Sequence, residues 1–305
     1  GANPSVFFSP IISCILVGGV VAWSLYVGAY LYSAGEITIV NGFQREFNHD
    51  RELQGVIVYH AFWAAWVVFF LLGLSSLSVA LVASQYYFKV PQPMCGAYFA
   101  ALGKSLLYHL GSIAFGSLLI AIVFAIRVAL QFVKKQMKSY IESVPGAKLA
   151  VCCVECCLAC FQRFLEFLTT NAYIQIAING YSFCAAAKAA SKLIVNNPLR
   201  VAAVTGVSTL VLFVGKVIVA AGTVLIVQEA ILEEQGVERN YIIMFLIFIF
   251  AYCVAYVVFT TYESTIKAIL HCAVEDERWH KPGERFAPPY LASKLLPREK
   301  PPKQA

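Results

Sequence analysis

Residues 241–262, YIIMFLIFIFAYCVAYVVFTTY, contain no charged side chain. A helix needs about 20 such residues to cross the hydrocarbon of a bilayer. Four further apolar runs lie near 10–32, 56–88, 105–133 and 200–227. Composition agrees: 60% of the residues are hydrophobic and 13% charged, against roughly 25% charged in a soluble domain. A soluble core has no use for that much apolar surface, whereas lipid does. The expected fold is all-α, a multi-pass transmembrane helix bundle with interfacial helices and a basic cytoplasmic tail. The chain is thus an integral membrane protein, and its sequence names no particular membrane.

The run at 56–88 would be ~50 Å long as a straight helix, so it tilts or protrudes. Residues 134–199 are different. They begin KKQMKSYIESVPGAK, pass through five cysteines, and continue with frequent polar residues. Interfacial helices or one poor crossing both fit this pattern. The expected organisation is a transmembrane domain over 1–278 and a basic, proline-rich tail over 279–305, solvated or loosely docked. The start, GANPSVFF, has no basic segment, so the first run does not read as a signal peptide. A first residue of Gly1 reads as a processed chain or the visible part of a longer one.

Charge sets an expected orientation. The tail is rich in Lys and Arg, and the loop 229–240 (EAILEEQGVERN) is acidic. The positive-inside rule places the tail in the cytoplasm and that loop outside. The run 241–262 then goes inward, 200–227 outward, and the loop 33–54 is external. Parity demands one more decision: either 105–133 is re-entrant or 134–199 contains a crossing. Lys134, Lys135, Lys138 and Lys148 favour the cytoplasm for their own stretch, against the other signals.

Ionisable residues inside apolar runs are the first functional candidates. Lys216 sits mid-run in LVLFVGKVIVA. A charge at the bilayer centre costs several kcal/mol unless paired or hydrated, so Lys216 faces the bundle interior or a cavity, as a structural ion pair or as part of a pathway. Arg127, nearer a run end, is expected to snorkel. His60 and His109 read as interfacial hydrogen-bonding residues. Tyr59, Phe62, Trp63 and Trp66 share one helical face. Such rings can hold a quaternary ammonium, which lacks N–H donors, by cation–π attraction. They can equally form an aromatic belt at the membrane interface. Tyr252 and Tyr256, one turn apart, are a weaker second wall. The pairs Ser112/Gly116 and Gly18/Ala22 have the spacing that lets membrane helices approach closely.

The stretch VCCVECCLAC repeats Cys152, Cys156 and Cys160 every fourth residue, and likewise Cys153 and Cys157. A stripe on one helix cannot enclose a metal, which needs ligands from several directions. Disulfides between residues four apart on a helix are geometrically poor. Two uses remain: soft apolar packing, or S-palmitoylation beside the membrane. The segment ALGKS at 101–105 ends like a Walker A loop, but six residues separate Gly96 from Gly103 where four are required, and no strand precedes it. H-E-x-x-H, G-x-S-x-G and G-x-G-x-x-G are absent. No enzyme activity, cofactor, metal or nucleic-acid partner is expected.

Several stretches together resemble the C-terminal part of the choline transporter-like family, of the solute carrier family 44 type. They are YHLGSIAFGSLLIAI (108–122), the cysteine cluster with FLEFLTTNAYIQIAINGYSFCAAAKAA (164–190), NNPLRV (196–201), FVGKVIV (213–219) and YESTIKAILHCAVEDER (262–278). The resemblance implies an all-helical carrier of choline or related amines, surrounded by membrane lipid. It places Tyr59, Trp63, Trp66 and Lys216 at matching positions in the bundle. Some members have an acid and paired amides in the middle of the second run, where this chain has Phe69, Ser75 and Ser76, and Lys267 stands where an acid can occur. Members are also longer, with further spans before this region. Two functions follow as expectations. One is a carrier working by alternating access, driven by membrane potential or a proton gradient. The other is a shortened relative serving as a structural or accessory subunit of a membrane complex.

Overall fold

A computed structural model describes residues 4–40, 44–93, 96–138, 143, 146–229, 241–281 and 283–287. Seven α-helices lie among them. A 3₁₀ turn at Pro4–Phe8 leads into α1 (Ser9–Ser33). Then come α2 (Arg51–Tyr87), α3 (Ala97–Gln136), α4 (Ala147–Asn179), α5 (Phe183–Asn196), α6 (Pro198–Val227) and α7 (Tyr241–Trp279). The all-α bundle matches the expectation, with one addition. Part of the loop 33–54 pairs as an antiparallel hairpin, β1 (Glu36–Val40) against β2 (Gln44–Asn48). Most of the acidic loop and the tail from 288 onward, whose charges set the expected orientation, lie outside the described residues.

Five helical stretches are long and apolar enough to cross a membrane: Ser5–Ser33, Arg51–Tyr87, Ala97–Gln136, Pro198–Val227 and Tyr241–Trp279. The helices α2, α3 and α7 hold 37, 40 and 39 residues, so each is about 55–60 Å long at 1.5 Å per residue. All three exceed the roughly 30 Å of hydrocarbon and must tilt or extend beyond it. The core forms where the second half of α2 meets α3, α4 and α5, through Leu74, Leu77, Ile113, Tyr173 and Phe183. By contrast, α1 and α6 leave most of their apolar side chains exposed. A helix apolar on all sides is at home in lipid.

The arrangement of α4 was not legible in the sequence. Lys134 on α3 pairs with Glu155 at 2.8 Å. Arg127 donates to Gln162 Oε1 at 2.6 Å, so it bonds to α4 rather than snorkelling. Further along, Tyr173 donates to the carbonyl of Ile113 at 3.1 Å. From Ile113 to Lys134 is about 30 Å along α3, and α4 runs antiparallel beside it for that distance. Its polar residues Gln162, Thr169, Asn171 and Gln175 are buried inside the bundle. Hydropathy averages a helix over all its faces, so inward polar groups hide a helix of membrane length.

This path bears on orientation. We expect α4 to supply the crossing that parity requires. The cysteine stripe near Lys134 then lies on the opposite side of the membrane from His280 and Lys281. Sealed vesicles treated with a membrane-impermeant maleimide check this. Cys152–Cys160 and an introduced Lys281→Cys should label from opposite sides, and labelling of both from one side would sink the expectation.

Close approach fixes the core. A Cβ on Gly116 would come within 2.6 Å of Phe183 Cε2 and of Tyr173 Oη, and one on Gly73 within 3.0 Å of the Tyr173 ring. The two glycines on α2 and α3 form the slot that the Tyr173 ring from α4 enters. Of the two small-residue pairs noted in the sequence, Ser112/Gly116 contributes to this packing. Gly18 has nothing within 4 Å of where its Cβ would be.

Candidate functional site

The six candidate contact residues fall into two separate groups. Lys216 is 8% exposed on α6. Its Nζ lies 4.7 Å from the centre of the Tyr256 ring on α7. The helices can approach this closely because Gly215 leaves room for Phe259, whose Cε1 would be 2.7 Å from a Cβ there. Tyr252, one turn before Tyr256, stacks on Phe248 with ring centres 6.4 Å apart. Tyr256 as a whole is 54% exposed.

The α2 group looks elsewhere. Tyr59 is 69% and Trp63 36% exposed. Trp66 donates its indole N–H to the Ala114 carbonyl on α3 at 3.2 Å. His60, stacked on Trp63 at 6.3 Å, hydrogen-bonds to the Ser24 carbonyl on α1 at 3.0 Å. The two expected aromatic walls are therefore not brought together. The first half of α2 packs between α1 and α3, and α7 meets α2 through its second half, where Tyr87 reaches Asp276.

That second half of α7 holds a polar cluster that the sequence reading missed. Gln175 Nε2 lies 3.4 Å from His271 Nδ1 and 3.4 Å from Glu275 Oε1. Asn179 donates to Gln175 Oε1 at 2.7 Å. Gln175, His271, Glu275 and Asp276 are all buried. One turn earlier, Lys267 pairs with Glu263 at 2.7 Å. A signal was present: Glu263, Lys267, His271 and Glu275 recur every fourth residue, as do Asn171, Gln175 and Asn179. Residues at that spacing share one helical face. What the sequence lacked was the meeting of the two rows.

Two cavities flank this region. One, of ≈ 250 Å³, is apolar and lies between Phe7, Val79, Tyr86, Tyr262 and Ile269. The other, of ≈ 280 Å³, is polar and lined by Lys192, Asn197, Arg200, Glu275, Glu277 and Arg278. Within it Arg200 and Glu277 pair at 2.6 Å. Among the described residues no three His, Cys, Asp or Glu side chains are grouped to hold a metal ion. The cysteines Cys152, Cys153, Cys156, Cys157 and Cys160 are free and exposed.

Among the described residues, five apolar helices of membrane length, two of them built into the core with α4 and α5, define an integral, multi-pass helical membrane protein. The family model of the plasma-membrane choline transporters matches residues 1–278. The chain belongs to the choline transporter-like family. It is 36% identical over 304 residues to choline transporter-like protein 2 of Dictyostelium discoideum, covering 97% of this chain and 47% of that protein. The protein of the same name from Cavia porcellus is 32% identical, over 82% of this chain and 37% of the relative. The one from Homo sapiens is 31% identical, over 82% and 36%. The chain thus spans less than half the length of these relatives.

Proposed function

We propose that the chain acts in the carriage of choline-like amines across a membrane, with the Tyr256 ring as a cation contact. The observation that carries this reading is Lys216, a buried ammonium held 4.7 Å over that ring. The same attraction suits a quaternary ammonium, which has no N–H to donate. Two cations cannot share one ring face without repulsion, so an arriving amine displaces Lys216. The lysine is then a tethered cation that refills the face after release. Tyr252 lies one turn before Tyr256, and the exposed Tyr59 and Trp63 are a second, separate contact set, with Trp66 bonded to α3.

Uptake of labelled choline by vesicles containing only this chain tests the reading. Uptake above empty vesicles is expected, together with a loss of about thirtyfold in Tyr256→Ala, the factor that the roughly 2 kcal/mol of one desolvated cation–π contact corresponds to. Folded protein without uptake would remove the carrier reading for the isolated chain.

The accessory-subunit reading also has an observation behind it. At the mid-α2 positions where the family resemblance suggests polar groups, Ser75 accepts from Ser13 at 2.8 Å and Phe69 packs on Phe124 at 5.7 Å. Those side chains tie helices together. Co-purification with a constant set of membrane proteins, without uptake, would favour this role.

Lipid attachment at the cysteine stripe needs that end of α4 to face the cytoplasm, so the maleimide experiment bears on it too. A hydroxylamine-sensitive mass shift on residues 152–160 would establish the modification, and unmodified thiols in native protein would retire it.

A further inference from the structure

Asp276 has a side chain 0% exposed, yet four donors converge on it. The Tyr87 hydroxyl donates to Oδ2 at 3.0 Å. The backbone N–H groups of Phe286 and Ala287 donate to the same oxygen at 2.9 and 3.1 Å. His280 Nδ1 lies 2.9 Å from Oδ1. One carboxylate therefore joins the end of α2, the last turn of α7 and the segment that follows. Gly283, at φ +94°, turns the chain back, a conformation that glycine adopts without Cβ strain. Aromatic rings close over the junction: Phe88 meets Trp279 at 5.9 Å and Phe286 at 5.7 Å, and His280 meets Phe286 at 5.4 Å. Beneath them Tyr87, Cys272 and Ala273 form a buried cluster against which Phe286 and Ala287 pack.

We propose that His280, Lys281 and residues 283–287 act as a strap, latched on Asp276, that closes this end of the seam between α2 and α7. Its release uncovers the layer that holds Cys272. The strap behaves as a unit because its bonds share one acceptor. Removing the carboxylate strands two backbone N–H groups, a phenol and an imidazole together, and each unpaired group in a dry site is unfavourable. Bonds to a carboxylate are also the stronger kind, and they add to the packing of Phe286 and Ala287 on the cluster beneath. Such segments open locally without unfolding the rest. The inference does not depend on which solute, if any, the protein carries.

The protein contains its own reporter. Cys272 is the one buried cysteine among the described residues, and Cys184 is exposed. Alkylation of the full chain in native membranes by a small maleimide, resolved by mass spectrometry, reads both. In the unsubstituted protein Cys272 should react far more slowly than Cys184. Asp276→Ala should speed Cys272 by about ten- to a hundredfold, the factor expected from losing charge-assisted bonds, with Cys184 unchanged. Gly283→Val, which strains the turn without touching α7, should also speed Cys272, and it decides the matter if the aspartate variant does not fold. Lys104→Ala, at an exposed position on α3, should change nothing. The latch is overturned if Cys272 is as reactive as Cys184 from the start. It is equally overturned if Gly283→Val leaves the Cys272 rate unchanged, or if both thiols accelerate alike in the folded variants.

Discussion

Gly116→Val is expected to destabilise the fold by about 2–4 kcal/mol and to lower the yield of folded protein. A single added carbon at Gly116 already comes within 2.6 Å of both Phe183 and Tyr173, and valine adds two more. Tyr173 is held in place: its ring lies against Gly73, and its hydroxyl is bonded to the Ile113 carbonyl. Overpacking a dense core costs about 1–3 kcal/mol, and losing the tyrosine hydrogen bond adds about 1 kcal/mol. The sum is a large share of the roughly 5–15 kcal/mol by which folded proteins are usually stable. Size-exclusion yield and thermal unfolding in detergent measure it, with Gly116→Ala intermediate. Gly111→Val is the control, since nothing lies within 4 Å of a Cβ there, and it should stay within about 0.5 kcal/mol of the parent. Equal behaviour of the two valine variants would show that the Tyr173 slot does not organise the core.

Lys216→Met separates the two roles of a buried lysine. Methionine keeps an unbranched apolar chain and discards the charge. A lysine charge at mid-membrane costs about 2.5–3.5 kcal/mol on insertion scales, while a desolvated cation–π contact returns about 2 kcal/mol. The fold should therefore be at least as stable, with Tm unchanged or higher. In the carrier reading the Tyr256 face is freed, so the KM for choline falls about tenfold, equivalent to about 1.4 kcal/mol. Maximal uptake also falls, because no tethered cation refills the face. A stabilised variant with unchanged uptake kinetics would leave Lys216 with a packing role alone.

The two substitutions mark the reach of the sequence differently. Lys216 was visible as a charge inside an apolar run, and its burial followed from the cost of exposing it to lipid. Its partner was not visible, because Tyr256 is 40 residues away and only the packing of α6 on α7 brings them together. The ring face of Tyr59, Trp63 and Trp66 was legible from helical spacing. Its separation from Tyr252 and Tyr256 was not, since that depends on which half of α2 meets α7. Gly116 was marked by its spacing from Ser112, but the tyrosine that fills the slot comes from α4, a segment whose polar residues argued against a membrane-length helix. Those same residues, Gln162, Asn171 and Gln175, are buried in the bundle. The hairpin after α1 was missed for a related reason, as strands of five residues depend on the partner across the turn.

Residue order alone marks this as a helical membrane protein of the choline transporter-like family. The bilayer selects for apolar character summed along a segment, and that sum is written in residue order. Packing alone chose which face of α4 turns inward, which ring Lys216 covers, and that Asp276 gathers donors from the end of α2 and from the segment after α7. Those outcomes depend on distances between residues far apart in the chain, set by how closely whole helices can approach one another.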